Sequence, residues 1–177
     1  SLNGFAPMRL SSKRSWPARC PKTDDGGRID APMLHSKNPT QKESSPVDFG
    51  KTADDYATHR IGFPDSLFDR LRDKGIGRSG QAVLDLGTGT GVLARGFAKG
   101  GCQVVGLDIS PSLVAQAKKL DSQAGVRVDY LLAPAEGIPL PDASCDVVSA
   151  GQCWHWFNRR AALQEVLRVL RPHGHLL

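Results

Sequence analysis

The sequence predicts an α/β fold, a parallel sheet with helices on both faces, and three observations carry that expectation. From residue 82 onward, short apolar runs alternate with helical segments of about ten residues. The runs are apolar almost throughout, as strands covered on both sides require. Strand–helix–strand units of this length join parallel strands through right-handed crossovers.

The elements follow in order. Residues 1–46 are rich in Ser, Pro, Lys and Arg and have no sustained apolar period. Such a stretch buries too little surface to offset chain entropy, so a disordered basic tail is expected there and a folded domain over 47–177. Its Arg and Ser content resembles a transit peptide, but Asp24, Asp25 and Asp30 argue against one. A short helix is expected over 49–59, broken at Gly62-Phe63-Pro64. Asp65 is placed to cap a helix through Lys74, with Leu67, Phe68 and Leu71 on one face and Gly75 as its stop. Ala82–Leu86 reads as the first strand and 90–99 as a helix closed by Gly100-Gly101. Gln103–Asp108 is the second strand. Ser110 then caps a helix that opens on Pro111 and runs to about Leu120. Strands are expected at 126–132 and 146–150. Asn158 caps a last helix to about Leu170, which Pro172 and Gly174 end before a fifth strand begins at His175.

Charge and cysteine usage narrow the function classes. The formal net charge is +5, but residues 1–46 hold 8 Lys+Arg against 4 Asp+Glu, and residues 47–177 hold 15 against 14. The domain is nearly neutral and lacks the basic face that a phosphate backbone needs, so no nucleic-acid partner is expected. No apolar run approaches the roughly 20 residues that cross a bilayer, so no membrane partner is expected either. Cys20, Cys102, Cys145 and Cys153 are widely spaced and contain no C-x-x-C pattern. That argues against a metal site or a disulfide framework and fits reduced thiols in a cytoplasmic protein.

The segment Val83-Leu84-Asp85-Leu86-Gly87-Thr88-Gly89-Thr90-Gly91-Val92 sits where a strand ends and a helix starts. Glycines there permit backbone angles closed to other residues and let a ligand approach the main chain. The dinucleotide fingerprint G-x-G-x-x-G, started at Gly87, would need glycine where Val92 stands. A second frame, Gly89 and Gly91 followed by Ala94, does fit the looser variant. Charge leans further. Asp85 would repel a pyrophosphate and attract an ammonium or sulfonium, which favours S-adenosylmethionine (SAM) over NAD. Asp108 ends the second strand, 21 residues after Gly87, where a carboxylate can accept both hydroxyls of a ribose. The plainer alternatives are a merely tight turn for Gly87, Gly89 and Gly91, and a solvated strand end for Asp108.

With these residues in view, V-L-D-L-G-T-G-T-G followed by V-V-G-L-D-I-S resembles the first motifs of class I SAM-dependent methyltransferases, in the small-molecule branch called methyltransferase type 11. The resemblance covers about 49–177 and implies a Rossmann-like sheet with SAM as cofactor. It implies that Asp85, Gly87, Thr88, Gly89, Gly91, Asp108 and Ile109 bind that cofactor. The run A-P-A-E-G-I-P-L-P-D at 133–142 would set Ala135 and Glu136 against the adenine. The run C-D-V-V-S-A-G-Q-C-W-H-W-F at 145–157 would put Gln152 near the methionine part and Trp154, His155 and Trp156 at the substrate mouth. The run at 163–174 is similar to the helix and turn before strand five. Tyr56, Arg60 and Gly62-Phe63-Pro64 resemble the lead-in of the trans-aconitate methyltransferase branch, where Tyr56 and Arg60 would help cover the cofactor. Ile61 and Phe63 stand where that pattern has proline and tyrosine.

The family's sheet has seven strands, whereas the sequence given stops as the fifth begins, so a sheet incomplete at its C-terminus is expected. The resemblance implies methyl transfer to a small-molecule acceptor. The alternative is a SAM-binding or interaction fragment without turnover. Methyl transfer from a sulfonium is an in-line displacement, which an enzyme aids mainly by aligning and desolvating the reactants. His155 is the one candidate base in the expected mouth; its other reading is a histidine that only shapes the pocket between Trp154 and Trp156. Thr88 and Thr90 are candidates to bond the SAM carboxylate, although Thr90 equally suits a helix cap. His173 and His175 are expected to face solvent.

Overall fold

The computed structural model describes residues 62–177. The tail 1–46, the helix expected over 49–59, and Tyr56 and Arg60 lie outside the described residues. Five strands form one sheet: β1 (Ala82–Leu86), β2 (Gln103–Asp108), β3 (Asp129–Leu132), β4 (Cys145–Ser149) and β5 (Leu170–Leu176). Their spatial order is β3-β2-β1-β4-β5 and every pairing is parallel, as the sequence predicts.

Among the described residues four α-helices accompany them: α1 (Asp65–Asp73), α2 (Val92–Lys99), α3 (Pro111–Ala124) and α4 (Arg159–Val169). The chain winds outward from β1 through α2 and α3 to the β3 edge, then returns to β4 and winds the other way through α4 to β5. Right-handed crossovers in opposite directions place their helices on opposite faces. The change of direction falls between β1 and β4, and the carboxyl ends of those strands open the crevice where such sheets bind ligands.

The core explains why the centre is fixed. Every residue of β1 is buried, and Val83, Leu84 and Leu86 together with Val147 and Val148 of β4 have no exposed surface. Removing one such side chain, as in Leu84→Ala, costs about 2–5 kcal/mol through lost transfer energy and the cavity left behind. On one face Phe68 of α1 meets Phe97 of α2 edge-on, with ring centroids 5.3 Å apart.

Several boundaries differ from expectation for local reasons. Pro64 takes the N-cap position of α1 in extended conformation, so Asp65 is the first helical residue rather than the cap. Its carboxylate still favours the helix through the positive end of the macrodipole. Helix α2 opens at Val92 behind a left-handed Gly91, and Thr90 does not cap it. The Ser110 cap of α3 is present, its Oγ accepting the Leu113 N–H at 3.4 Å. That helix runs on to Ala124 because its buried face continues through Val114, Ala117 and Asp121, and a left-handed Gly125 closes it. The connection that follows delays β3 until Asp129. Asn158 caps α4, accepting the Ala161 N–H at 3.4 Å.

Strand β5 begins at Leu170, five residues before the expected start, with Pro172 and Gly174 inside it. Proline lacks a ladder N–H, which only an edge strand tolerates. The pairing slips accordingly, from Cys145 opposite Leu170 to Val147 opposite His175. His173 and His175 are exposed, as expected.

The loop between β3 and β4 is stapled by α4. Arg168 donates to the carbonyls of Ile138 and Leu140 and to Asp142 and Glu165, each within 2.8 Å. The Arg168 hydrogen bonds hold Glu165 down to about 2. Cys102 and Cys145 are buried thiols outside any disulfide, and burial pushes each up to about 11.

Candidate functional site

Asp85 ends the apolar run of β1 and is 2% exposed, at the point where β1 meets β4. It stands in register with Ser149, whose Oγ donates to Asp85 Oδ1 at 2.7 Å. Thr88 Oγ1 donates to the other oxygen, also at 2.7 Å. Burial pushes the Asp85 carboxyl up to about 6, against these hydrogen bonds, and the nearby negative charge of Asp108 adds to the rise. The hydroxyl proton of Thr88 is thus directed at Asp85 beneath the turn. Thr88 shapes the turn from inside, its N–H also donating to the Leu107 carbonyl at 3.0 Å.

The three glycines divide their duties. Gly87, Gly89 and Gly91 have φ of 54°, 55° and 77°, in the left-handed region that other residues enter at a cost. A Cβ on Gly87 would lie 2.8 Å from Cys153 Cβ and 3.3 Å from Phe157. One on Gly91 would overlap the Tyr130 hydroxyl. Beside Gly89 there is open space. Only the middle glycine faces outward as a ligand approach requires; its neighbours make room for the protein's own side chains.

Asp108 is 7% exposed, which excludes a merely solvated strand end. Its Oδ2 accepts the Gly89 N–H at 2.8 Å and its Oδ1 accepts the Ser110 N–H at 2.9 Å. Sequence reasoning missed this strut, in which the carboxylate at the end of β2 holds the middle glycine of the turn after β1. Each oxygen keeps a second lone pair, so a ribose can still be accepted. Ile109, the next residue, is 73% exposed beside it.

The remaining expected residues lie in the segments that follow β3 and β4. Ala135 is 3% exposed. Glu136 turns towards α4, where Oε1 accepts the Asn158 N–H at 2.6 Å, so it ties loop to helix rather than presenting a free carboxylate to an adenine. Gln152 is exposed, with φ of 62°. Cys153, which no motif singles out, packs under the turn and donates from Sγ to the Leu86 carbonyl at 3.1 Å. A single turn of tight helix carries Trp154, His155 and Trp156. Trp154 packs edge-on against Phe157 at 5.8 Å, whereas Trp156 is 64% exposed. The His155 ring lies 4.9 Å from that of Trp156 alone and is exposed, so it is not enclosed between two tryptophans. Among the described residues, no cluster of three or more His, Cys, Asp or Glu is placed to hold a metal ion.

Comparison with known proteins gives the family and the fold. The family described as "Methyltransferase domain" matches residues 84–177. An uncharacterized methyltransferase of Schizosaccharomyces pombe is 35% identical over 123 residues, 69% of this chain and 47% of that protein. A malonyl-[acyl-carrier protein] O-methyltransferase of Enterobacter lignolyticus is 34% identical over 140 residues, 77% of this chain and 53% of that one. The chain thus spans about half the length of the curated relatives it matches. The crystal structure of a SAM-dependent methyltransferase from Aquifex aeolicus shares the fold with a TM-score of 0.60 at 23% identity, over 72% of this chain and 70% of that one.

Proposed function

This chain belongs to the methyltransferase domain family, whose cosubstrate is S-adenosylmethionine, and on that premise we propose that it binds SAM at the turn after β1 and passes the methyl group to a small-molecule acceptor. The observation that carries the reading is the open space at Gly89 beside two buried carboxylates, Asp85 and Asp108. The two repel each other, and the turn from Gly87 to Gly91 contains no basic side chain. Such a crevice suits a cation and opposes a pyrophosphate. A donor bound there supplies a methyl group activated by a sulfonium. The chain's own part is to orient and to exclude water: Asp108 accepts the ribose hydroxyls with its remaining lone pairs, and Ile109 offers an apolar surface to the base. Asp85 attracts the ammonium from beneath the turn.

Trp156 and His155 are the exposed groups nearest in sequence to the crevice wall, and they line the acceptor side of this reading. No base is assigned among them. An acid acceptor needs none, since a carboxylate is already nucleophilic. The O-methyltransferase relative named for a malonyl group supports an acceptor of that kind. A second reading is SAM binding without turnover, favoured by the way Thr88, Ser149 and Glu136 satisfy internal partners rather than face the crevice.

Calorimetry with SAM and, separately, with NAD tests the donor assignment. Saturable binding of SAM alone is expected, and no binding of SAM to folded protein would overturn it. Transfer of a tritiated methyl group to a panel of small acids separates turnover from binding. The proposal extends to a cytoplasmic location without a nucleic-acid partner, supported by the buried thiols and by the near-neutral charge of residues 47–177. Among the described residues, no helix is long and apolar enough to cross a membrane.

A further inference from the structure

Beneath the glycine turn lies a chain of polar side chains, buried at its centre, that the donor site does not itself use. Tyr130 sits on β3 in register with Gly106 of β2. Its ring lies across that glycine, where a Cβ would fall 2.7 Å from the ring edge. The hydroxyl reaches the space beside Gly91 and donates to Asp121 Oδ2 at 2.7 Å. Asp121, on α3, is 4% exposed, and its other oxygen lies 2.8 Å from Nε of Arg95 on α2. That contact is a charge pairing rather than an aligned hydrogen bond. Arg95 Nη2 donates in turn to the Thr90 carbonyl at 2.8 Å and to the Ala117 carbonyl at 3.4 Å. The chain of contacts thus runs from the sheet edge through two helices to the last peptides of the turn.

A charge pair at this depth is expensive to desolvate, and apolar residues of similar volume often do as well for stability alone. What apolar residues cannot do is orient a particular peptide. The turn is pinned at two points: Asp108 holds the Gly89 N–H, and Arg95 holds the Thr90 carbonyl. Gly91 has no side chain because the Tyr130 hydroxyl occupies its place. Networks of hydrogen bonds and paired charge of this kind fix one conformation among several that a glycine-rich segment would sample.

We propose that Tyr130, Asp121 and Arg95 are positioning residues for the donor site, fixing the turn from beneath in the conformation that receives the cosubstrate. The inference rests on the donor-site reading above, and its structural half can be tested apart from it. None of the three touches the ligand; they act through Thr90 and Gly91.

The test compares the full 177-residue chain with its Tyr130→Phe and Asp121→Asn variants, first without ligand and then with SAM. Tyr130→Phe keeps the ring over Gly106 and removes only the hydroxyl. Amide hydrogen exchange at Gly89 and Gly91 is expected to quicken about tenfold or more, while exchange at Val104 and Val105 in β2 stays within about twofold. Calorimetry is expected to show SAM affinity about 5- to 20-fold weaker, the part of a charged hydrogen bond that reaches the ligand. The double variant should be little weaker than Asp121→Asn alone, because both break the same chain of contacts. Exchange that quickens uniformly across turn and strand would mean general destabilisation and would overturn the proposal. So would unchanged exchange at the turn. If the parent chain fails to bind SAM while the turn amides alone quicken in the variants, the positioning role stands and the donor reading falls. If the parent binds SAM and both variants bind equally well, the positioning role falls and the donor reading stands.

Discussion

The two walls of the crevice are built on different principles. On the β1–β2 wall, nearly every polar atom near the turn is satisfied within the protein: Asp85 by Thr88 and Ser149, Asp108 by Gly89 and Ser110, Tyr130 by Asp121. On the β4–α4 wall, a short helical turn holds Trp156 and His155 out towards solvent. The first wall is shaped before any ligand arrives, and the second leaves two aromatic rings exposed. Such a division suits a protein whose donor is constant and whose acceptor is particular, and it yields experiments that treat the walls separately.

The largest effect is expected from Gly91→Ala. Its left-handed backbone costs an L-residue about 1–2 kcal/mol, and the overlap with the Tyr130 hydroxyl adds about 1–3 kcal/mol of crowding. Together they should lower stability by about 2–5 kcal/mol, read by urea unfolding. Gly89→Ala sharpens the contrast. Its added Cβ meets nothing, so stability should fall only by about 1–2 kcal/mol, while SAM affinity falls at least about tenfold. A Gly91→Ala variant as stable as Gly89→Ala would remove the distinction drawn between them.

Next comes the pH dependence of Asp85. Its folded carboxyl is raised from 3.8 to about 6, so the folded state holds the proton more tightly than the unfolded chain. The stability linked to that proton is fully present below about pH 4 and is lost as pH rises through about 6, a change on the order of 3 kcal/mol. In Asp85→Asn this component should disappear, leaving the variant relatively more stable than the parent at pH 7 than at pH 4. Denaturant midpoints measured at both pH values check the sign. An identical pH trend in parent and variant would mean that Asp85 is not titrating there.

Asp108→Ala removes both a ribose acceptor and the Gly89 strut, and is expected to weaken SAM by roughly 1.5–3 kcal/mol. Unchanged affinity would place the ribose elsewhere. The smallest effect belongs to the open wall. Trp156→Ala should change stability by less than about 0.5 kcal/mol and leave SAM affinity as it was, while lowering methyl transfer to an acceptor. A fall in SAM affinity there would join the two walls into one site.

The sequence made the first wall more legible than the second because its constraints are local and repeated. Alternating glycines behind an apolar strand, and an aspartate ending the next strand, can be read from spacing, and both fall where expected. What spacing hid is which partner each polar group takes. Nothing in the run Cys145–Ser149 announces that its last residue will face Asp85, because that meeting depends on β4 returning to lie beside β1. Tyr130, Asp121 and Arg95 come from three separate elements and share no motif. At the second wall, Glu136 and Trp154 sit where the resemblance put them in the chain, yet Glu136 is bonded to the Asn158 N–H and Trp154 is packed on Phe157. Strand β5 begins earlier than Pro172 and Gly174 suggest, because residues that signal a break elsewhere are tolerated at a sheet edge.

A nitrogen-15 chemical-shift titration of the full chain with SAM reads the turn itself most directly. Saturable shifts centred on the amides of Gly89, Ser110 and their neighbours, absent when NAD replaces SAM, are the predicted result. Shifts that leave Gly89 unmoved, or that NAD reproduces equally, would contradict the account.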